Sequence, residues 1–326
     1  IDSNNNLLVS GNLDFYFNAE DTNDFNNPYF VKIKNIYYRI DGSEWNNTEN
    51  NKYISLAALS MSGSHLLEYY SEDIAGNIEP INKKYLFVDN FSPQVIFVPY
   101  SATNDMPSKM YLDNDLGYIF VDTNAYFKAY AFDITMSNSL MSGLKSVYYA
   151  VDSNYFTNNF SVYNNNKIYL STGYHILASK GIDNVGNESI PIPFKAVIDE
   201  APPIAHRIVV DEVAGITNTD MGDVIQITHS AKVYLFAHDP YLLEGAEANS
   251  GGSGVAFIQY QINSNGFKNY ESPIDISSGG SGRYIFDYFA KDNVGNVSAT
   301  DQFVLIYDNT SPQLQITIPQ PYLFDN

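Results

Sequence analysis

A five-residue motif, Asp-x-x-Gly-Asn, recurs three times in this chain at almost constant spacing. The copies are Asp73-Ile-Ala-Gly76-Asn77, Asp183-Asn-Val-Gly186-Asn187 and Asp292-Asn-Val-Gly295-Asn296. Their first residues lie 110 (183 − 73) and 109 (292 − 183) positions apart. Regular spacing of this kind is the signature of internal repeats, so the sequence predicts tandem copies of one structural unit.

Four other short sequence patterns recur with the motif, in the same order in each repeat. An Ala-x-Asp segment ends at Asp21, Asp133 and Asp239. A Tyr-x-apolar-Asp/Asn segment begins at Tyr38, Tyr149 and Tyr260, and a Gly-x-His/Tyr-x-apolar segment begins at Gly63, Gly173 and Gly282. An aspartate followed closely by proline closes each unit, at Asp89, Asp199 and Asp308. The segments alternate with period two, which indicates strands rather than helices.

Short strands separated by turns, in units of this length, predict an all-β fold of tandem immunoglobulin-like β-sandwich modules. We expect module 1 at residues 1–90 (N-terminally incomplete), module 2 at 91–200, module 3 at 201–309, and the first strand of a truncated fourth module at 310–326. Proline at each joint restricts the backbone, which favours short, stiff connections and an extended rod.

Charge and composition exclude several classes of function. Lys and Arg total 17 against 37 Asp and Glu, a formal net charge of −20, so nucleic-acid binding is not expected. Cysteine is absent, which removes disulfides and thiolate metal sites. No apolar run reaches 18 residues, so this segment is not expected to insert into a membrane.

The ordered set of these patterns resembles the OmpL47-type repeats, which are Ig-like repeats of bacterial surface and envelope proteins. In module 1 the resemblance includes Tyr38, Ile40, Asp41, Gly42 and Trp45, and in all three modules it covers nearly the whole chain. It implies surface exposure, together with adhesion or a spacer role beside catalytic domains. It implies no catalytic residues, so we expect the chain not to be an enzyme.

The recurrent aspartates have two interpretations. In the first, Asp-x-x-Gly-Asn is a tight turn in which Asp accepts backbone N–H bonds, Gly supplies a positive φ and Asn tolerates an unusual φ. In the second, the aspartates of one unit, for example Asp133, Asp183 and Asp199, supply oxygen ligands to Ca²⁺. The candidate ligands are Asp21, Asp73, Asp89, Asp133, Asp183, Asp199, Asp239, Asp292 and Asp308.

Exposed aromatic residues are candidates for ligand contact. Tyr37, Tyr70 and Phe289 fall on the outward phase of their strands, and Trp45 is predicted to lie in a loop. Such rings can stack on sugars, and they can equally cover sheet faces.

The histidine of the Gly-x-His segment, His65 and His175, is replaced by Tyr284 in module 3. A position that accepts either residue is typical of a packed, hydrogen-bonded strand rather than of a metal ligand or a catalytic base.

These observations predict a non-catalytic stalk or adhesion array at the cell surface or outer envelope, whose partner is a protein or polysaccharide ligand. Two alternatives stay open. The modules could be accessory units, carbohydrate-binding or spacer, of a large secreted hydrolase. They could also self-associate as a filament or surface-layer subunit.

Overall fold

A computed structural model of the chain describes residues 7–11, 14–21, 32–55, 62–115, 117–133, 142–211, 216–219, 224–228, 230–240 and 252–316. Contacts divide the chain into two compact units. The first comprises Ile1–Pro107, Tyr126–Leu170 and His175–Ala196. The second comprises Ser108–Ala125, Ser171–Tyr174 and Val197–Asn326.

Nearly all regular structure in the described residues is β-strand. The strands of module 1 are β1 (Leu7–Val9), β2 (Asp14–Tyr16), β3 (Ile33–Ile40), β4 (Asn46–Thr48), β5 (Tyr53–Ser55), β6 (Gly63–Asp73) and β7 (Asn82–Val88). Module 2 contains β8 (Gln94–Ser101), β9 (Met110–Asp113), β10 (Tyr118–Asp122), β11 (Ala125–Phe132), β12 (Leu144–Val151), the short helix α1 (Ser153–Phe156), β13 (Ser161–Val162), β14 (Gly173–Asp183) and β15 (Ile192–Asp199). Module 3 contains β16 (Ile204–Asp211), β17 (Ile216–Thr219), β18 (Val224–Ile227), β19 (Lys232–His238), β20 (Val255–Ile262), β21 (Lys268–Asn269), β22 (Ile274–Asp275), a 3₁₀ turn (Ser277–Gly279), β23 (Gly282–Asp292) and β24 (Asp301–Tyr307).

The first compact unit contains module 1, whose large sheet has the order β1-β7-β6-β3-β4. Strand β1 runs parallel to β7, while β6 is antiparallel to both β7 and β3. A small antiparallel pair, β2 and β5, forms a separate sheet. The buried side chains of Leu67, Leu86 and Val88 pack against Phe15 and Phe17, so the core lies between these two layers.

The same unit contains most of module 2. Strands β13, β12 and β14 lie side by side, and β8 pairs with β11 in a second sheet. The ring of Phe194, on β15, lies 5.9 Å from the rings of both Phe97 and Phe127. Aromatic packing from both sheets therefore fills the interior of this sandwich, as expected for the large buried area of each ring.

The second compact unit contains module 3, together with the β9–β10 hairpin of module 2. The sheets of module 3 have the orders β18-β24-β23-β20-β21 and β17-β16-β19-β22. Strand β18 is parallel to β24, as β1 is to β7 in module 1, so the large sheets of the two modules have the same topology. The stacked rings of Phe286 and Phe303, 4.8 Å apart, lie at the centre of the module 3 core.

Strand β23 shows why these sequences form sandwich strands. Phe286, Tyr288, Ala290 and Asp292 are all buried, whereas the residues between them are only partly buried. Alternate side chains point to opposite faces of a strand, so this pattern buries one face. The predicted fold class, tandem immunoglobulin-like β-sandwich modules, is confirmed, while the predicted rod shape and the predicted module boundaries stay predictions.

The predicted first strand of a fourth module falls partly on described residues. Residues 310–316 form no strand, and Leu314 and Ile316 are 88% and 75% exposed. A strand is stabilised by pairing with a neighbour, and these residues pair with none in the described ranges. Residues 317–326 lie outside the described residues. No helix in the described ranges has the length and apolar character that membrane crossing requires.

Candidate metal centres at the module joints

The Asp-x-x-Gly-Asn motif forms a tight turn around its first side chain. Oδ1 of Asp292 accepts hydrogen bonds from the backbone N–H groups of Val294 (3.1 Å), Gly295 (2.6 Å) and Asn296 (2.7 Å). Oδ2 accepts a further bond from the Asn296 side chain at 2.7 Å. Asp183 makes the same four bonds in module 2. Gly295, in the module 3 motif, has a φ of +122°, so the interpretation as a turn is confirmed.

The role of the motif asparagine differs from the sequence-based expectation. Asn187 and Asn296 are not among the residues with positive φ, so the prediction of an unusual backbone is wrong. Instead, Nδ2 of Asn187 donates to the backbone carbonyls of Asp89 (2.8 Å) and Phe91 (3.3 Å). Nδ2 of Asn296 donates to the carbonyl of Asp199 at 3.1 Å. The asparagine thus ties the turn of one module to the end of the preceding one.

A Ser-Gly pair, Ser142-Gly143 in module 2 and Ser253-Gly254 in module 3, binds the carboxylate of the aspartate that closes the preceding module. Oδ2 of Asp89 accepts a bond from the backbone N–H of Ser142 at 2.8 Å. Oδ2 of Asp199 accepts the equivalent bond from Ser253 at 2.9 Å. The glycine of module 3, Gly254, has a φ of +84°, which a residue with a side chain rarely adopts.

Sequence reasoning did not assign this function to the Ser-Gly pair. The pair occurs in module 2 and module 3, whereas module 1 has Val-Lys at positions 31–32. The modules with the pair are those that follow a joint aspartate in this sequence. This correlation between the Ser-Gly pair and a preceding joint aspartate is the sequence signal that would have identified the role of the pair.

The joints bring the recurrent aspartates together in threes. One carboxylate oxygen from each of Asp199, Asp239 and Asp292 lies within 4.8 Å of the others. A second group has the same composition, and its members are Asp89, Asp133 and Asp183. The prediction that Asp199 joins Asp133 and Asp183 is therefore wrong, because Asp89, which closes module 1, occupies that place. The last strand of a module ends at the joint, so its closing aspartate meets the next module rather than its own.

Burial makes the cluster in module 3 electrostatically unfavourable without a counter-charge. The exposed fractions of Asp199, Asp239 and Asp292 are 0%, 8% and 0%. Burial, followed by the charges of Asp199 and Asp292, raises the pKa of Asp239 to about 6. Burial also raises the pKa of Asp199, with a contribution from the charge of Asp292. Desolvation and like charges both disfavour the ionised carboxylate, which explains these directions.

The other candidate aspartates have different surroundings. In the described residues, Asp21 and Asp73 do not belong to a group of three possible ligands. Hydrogen bonds from Asn77 hold the pKa of Asp73 below its usual value. Asp308 is exposed and accepts bonds from the backbone and hydroxyl of Thr310.

Three of the four aromatic candidates lie together on the outer face of module 1. Tyr37 stacks on Tyr70 with ring centroids 4.9 Å apart, and Trp45 meets Tyr70 edge-on at 4.8 Å. The guanidinium of Arg39 lies 4.6 Å above the Trp45 ring. We call Tyr37, Tyr70, Trp45 and Arg39 the aromatic cluster. Phe289 lies in module 3, with Phe267 as its partner, and ligand binding by any of these residues stays a prediction.

The recurring histidine position is packed and hydrogen-bonded, as predicted. Nδ1 of His65 lies 2.7 Å from Oδ2 of Asp41, and both His65 and His175 are buried. His175 makes the same contact with Asp152. Tyr284 instead donates to the carbonyl of Gly280 at 2.7 Å. These contacts explain why histidine and tyrosine exchange at this position.

The fold and the joints define a class of protein, the tandem arrays of immunoglobulin-like β-sandwich modules. No family model matches the chain, and no curated protein is similar to it in sequence. Among solved structures, the Clostridium thermocellum CbhA fibronectin(III)-like modules are similar, with 13% identity over 60% of this chain and 90% of theirs and a TM-score of 0.30. A structure described as concerning host cell surface retention of a 1.5-MDa bacterial ice-binding adhesin shares 13% identity, covering 86% of this chain and 88% of that one, with a TM-score of 0.29. The chicken CNTN1 FN1–FN3 domains share 12% identity, covering 83% and 91%, with a TM-score of 0.28.

Proposed function

We propose that this chain is a non-catalytic segment of an extracellular surface protein, in which the modules form a stalk that displays or contacts a ligand. The observation that carries the proposal is that both joints are formed by the same set of hydrogen bonds. The same bonds from the Ser-Gly pair and the motif asparagine to the preceding module occur at Asp89 and again at Asp199. A freely moving linker would not need such bonds, whereas a spacer that holds a fixed length would.

Apolar packing supports the joint in the second compact unit. Val294, in the turn of module 3, is 3% exposed and packs with Phe120 and Val197 of module 2. Buried apolar contact adds to the hydrogen bonds, because the same surface would otherwise face water when the modules separate. The turn of module 3 thus provides both polar and apolar contacts to the module before it.

Small-angle X-ray scattering of the purified chain tests the stalk. A compact single domain of this length would have a radius of gyration of about 20 Å. We expect a clearly larger value and a pair-distance distribution with a long tail. The matched variant Asn187→Ala with Asn296→Ala removes the bonds that the two asparagine side chains make across the joints, so its profile should indicate more flexibility. A compact profile for the native chain would contradict the stalk.

A second candidate function is contact with a polysaccharide through the aromatic cluster. The rings of Tyr37, Tyr70 and Trp45 lie beside hydrogen-bonding groups, since Tyr37 donates to Glu72 at 3.0 Å. Aromatic faces next to polar side chains are the arrangement on which sugar rings stack. This function would suit either an adhesin or an accessory module of a secreted hydrolase.

Tryptophan fluorescence can detect such contact, because Trp45 is the single tryptophan of the chain. We expect neutral soluble polysaccharides to change its emission, since the net charge of −20 disfavours acidic ones. Tyr37→Ala should weaken the response about tenfold, which corresponds to losing one stacking contact. Phe289→Ala, in module 3, is the matched control and should leave it unchanged. Emission that no polysaccharide alters would exclude this role.

A further inference from the structure

We infer that each of the two aspartate clusters at the module joints binds one Ca²⁺ ion, which links the closing aspartate of one module to the next module. This inference deepens the proposed function, and it rests on that function because it assigns the ion a part in holding the stalk. The cluster of Asp199, Asp239 and Asp292, called here the second joint site, carries the argument. The cluster of Asp89, Asp133 and Asp183 is called the first joint site.

The second joint site concentrates negative charge away from solvent. Its three carboxylates approach within 4.8 Å of one another, and Asp199 and Asp292 are fully buried. In the part of the chain that the structure describes, none of the three forms an ion pair with lysine or arginine. Buried charges are normally paired or coordinate a metal, because leaving them uncompensated is costly.

An independent observation concerns one oxygen of Asp239. Its Oδ2 accepts bonds from the backbone N–H of Gly254 (2.8 Å) and the hydroxyl of Ser253 (3.4 Å). Its Oδ1 is buried and has no hydrogen-bond partner among the described residues. The side chain as a whole is 8% exposed. Buried polar atoms in native proteins are nearly always satisfied, so a carboxylate oxygen left open inside an acidic cluster indicates a position for a cation.

The donor set selects the type of cation. All three ligands are carboxylates, and hard oxygen donors favour Ca²⁺ or Mg²⁺ over transition metals. Ca²⁺ binds oxygens at about 2.3–2.6 Å, so two of its ligands are at most about 5.2 Å apart, and three oxygens within 4.8 Å of one another can all contact one ion. Mg²⁺ needs a tighter octahedron and retains its water, which suits a site of three rigid side chains less well.

The rigidity of the site comes from the same bonds that form the joint. Asp292 is fixed by its turn, and Asp199 is held by the backbone N–H of Ser253. Asp199 comes from module 2, while Asp239 and Asp292 come from module 3. An ion at this point therefore bridges the two modules, and its removal would leave like charges facing each other across the joint.

Isothermal titration calorimetry of the full chain with Ca²⁺, in metal-free buffer near neutral pH, tests the inference. We expect two sites per chain, with Kd values of about 10⁻⁴ to 10⁻³ M as in other extracellular modules. Asp239→Asn keeps the shape and the bond from Gly254 but removes the charge, so it should eliminate one site. Asp133→Asn should eliminate the other. Asp308→Asn, at an exposed aspartate outside both clusters, should retain both sites.

Hydrogen exchange in the presence of a chelator shows whether each variant is folded. We expect Asp239→Asn to match or exceed the native protection, since it removes a like-charge repulsion. Absence of Ca²⁺ binding at millimolar concentration or equal affinity for Mg²⁺ would overturn the inference. Binding retained in a chain that carries both Asp133→Asn and Asp239→Asn would also overturn it.

Scattering separates this inference from the proposed function. An extended particle that binds no Ca²⁺ would overturn the inference and leave the stalk in place. A compact particle that binds two ions would overturn the stalk and leave the sites in place.

Discussion

Replacing Phe286 with alanine is expected to lower the free energy of unfolding of module 3 by about 3–5 kcal/mol. The side chain is fully buried on β23 and stacks on Phe303 with centroids 4.8 Å apart. Truncation loses the transfer free energy of the ring and leaves a cavity that the two sheets cannot fill. Because a small domain has a total stability of only about 5–15 kcal/mol, a change of this size brings module 3 close to unfolding.

The measurement must report on module 3 alone, since the chain contains several modules and a single melting curve would mix them. Amide hydrogen exchange of β20, β23 and β24 in the full chain satisfies this requirement. The matched control is Phe289→Ala, which removes the same ring from the outward-facing phase of β23, where Phe289 meets only the edge of Phe267 in ring contact. We expect the control to cost about 1 kcal/mol. Equal effects of the two substitutions would contradict the assignment of the two faces.

Asp292→Ala is expected to destabilise module 3 by about 3 kcal/mol. The substitution leaves three backbone N–H groups and the Asn296 amide without their acceptor inside a buried turn. A bond to a charged acceptor contributes about 1.5–3 kcal/mol. Bonds to one shared carboxylate do not add independently, and relief of the repulsion from Asp199 and Asp239 offsets part of the loss.

Denaturant titration in a chelator, followed by hydrogen exchange at β23, measures this cost without a contribution from bound metal. Asp308→Ala is the control, because this exposed aspartate accepts bonds only from Thr310 among the described residues. The control should change stability by less than about 0.5 kcal/mol. A loss at Asp292 no larger than at Asp308 would show that the turn does not depend on its carboxylate.

The period of the sequence predicted the strands because strand geometry is local. Strands β6, β14 and β23 each begin at the glycine of the Gly-x-His/Tyr segment and end at the motif aspartate. Alternation of apolar and polar residues determines which face is buried, and neighbouring residues alone carry that information. The exchange of His175 for Tyr284 likewise identified a packed position, since both side chains form a hydrogen bond there.

The identity of the joint required the tertiary structure, because residues from two modules meet there. Sequence spacing placed Asp199 with the unit that it closes, whereas the structure places it with Asp239 and Asp292 of the next unit. Their separation along the chain carries no information about which carboxylates share a site. The same holds for Asn187, whose side chain reaches the carbonyl of Asp89.

Residue types and their spacing were sufficient to predict the module type, the repeat and the set of aspartates that could form sites. The module type follows from patterns within one module, and the repeat follows from the spacing between copies of the motif. Three features could be found only in the folded chain: how those aspartates combine, the shared surface of Tyr37, Tyr70 and Trp45, and a buried oxygen of Asp239 without a hydrogen-bond partner among the described residues. These properties depend on distances between segments far apart in the chain, which are fixed when the sheets pack and not before.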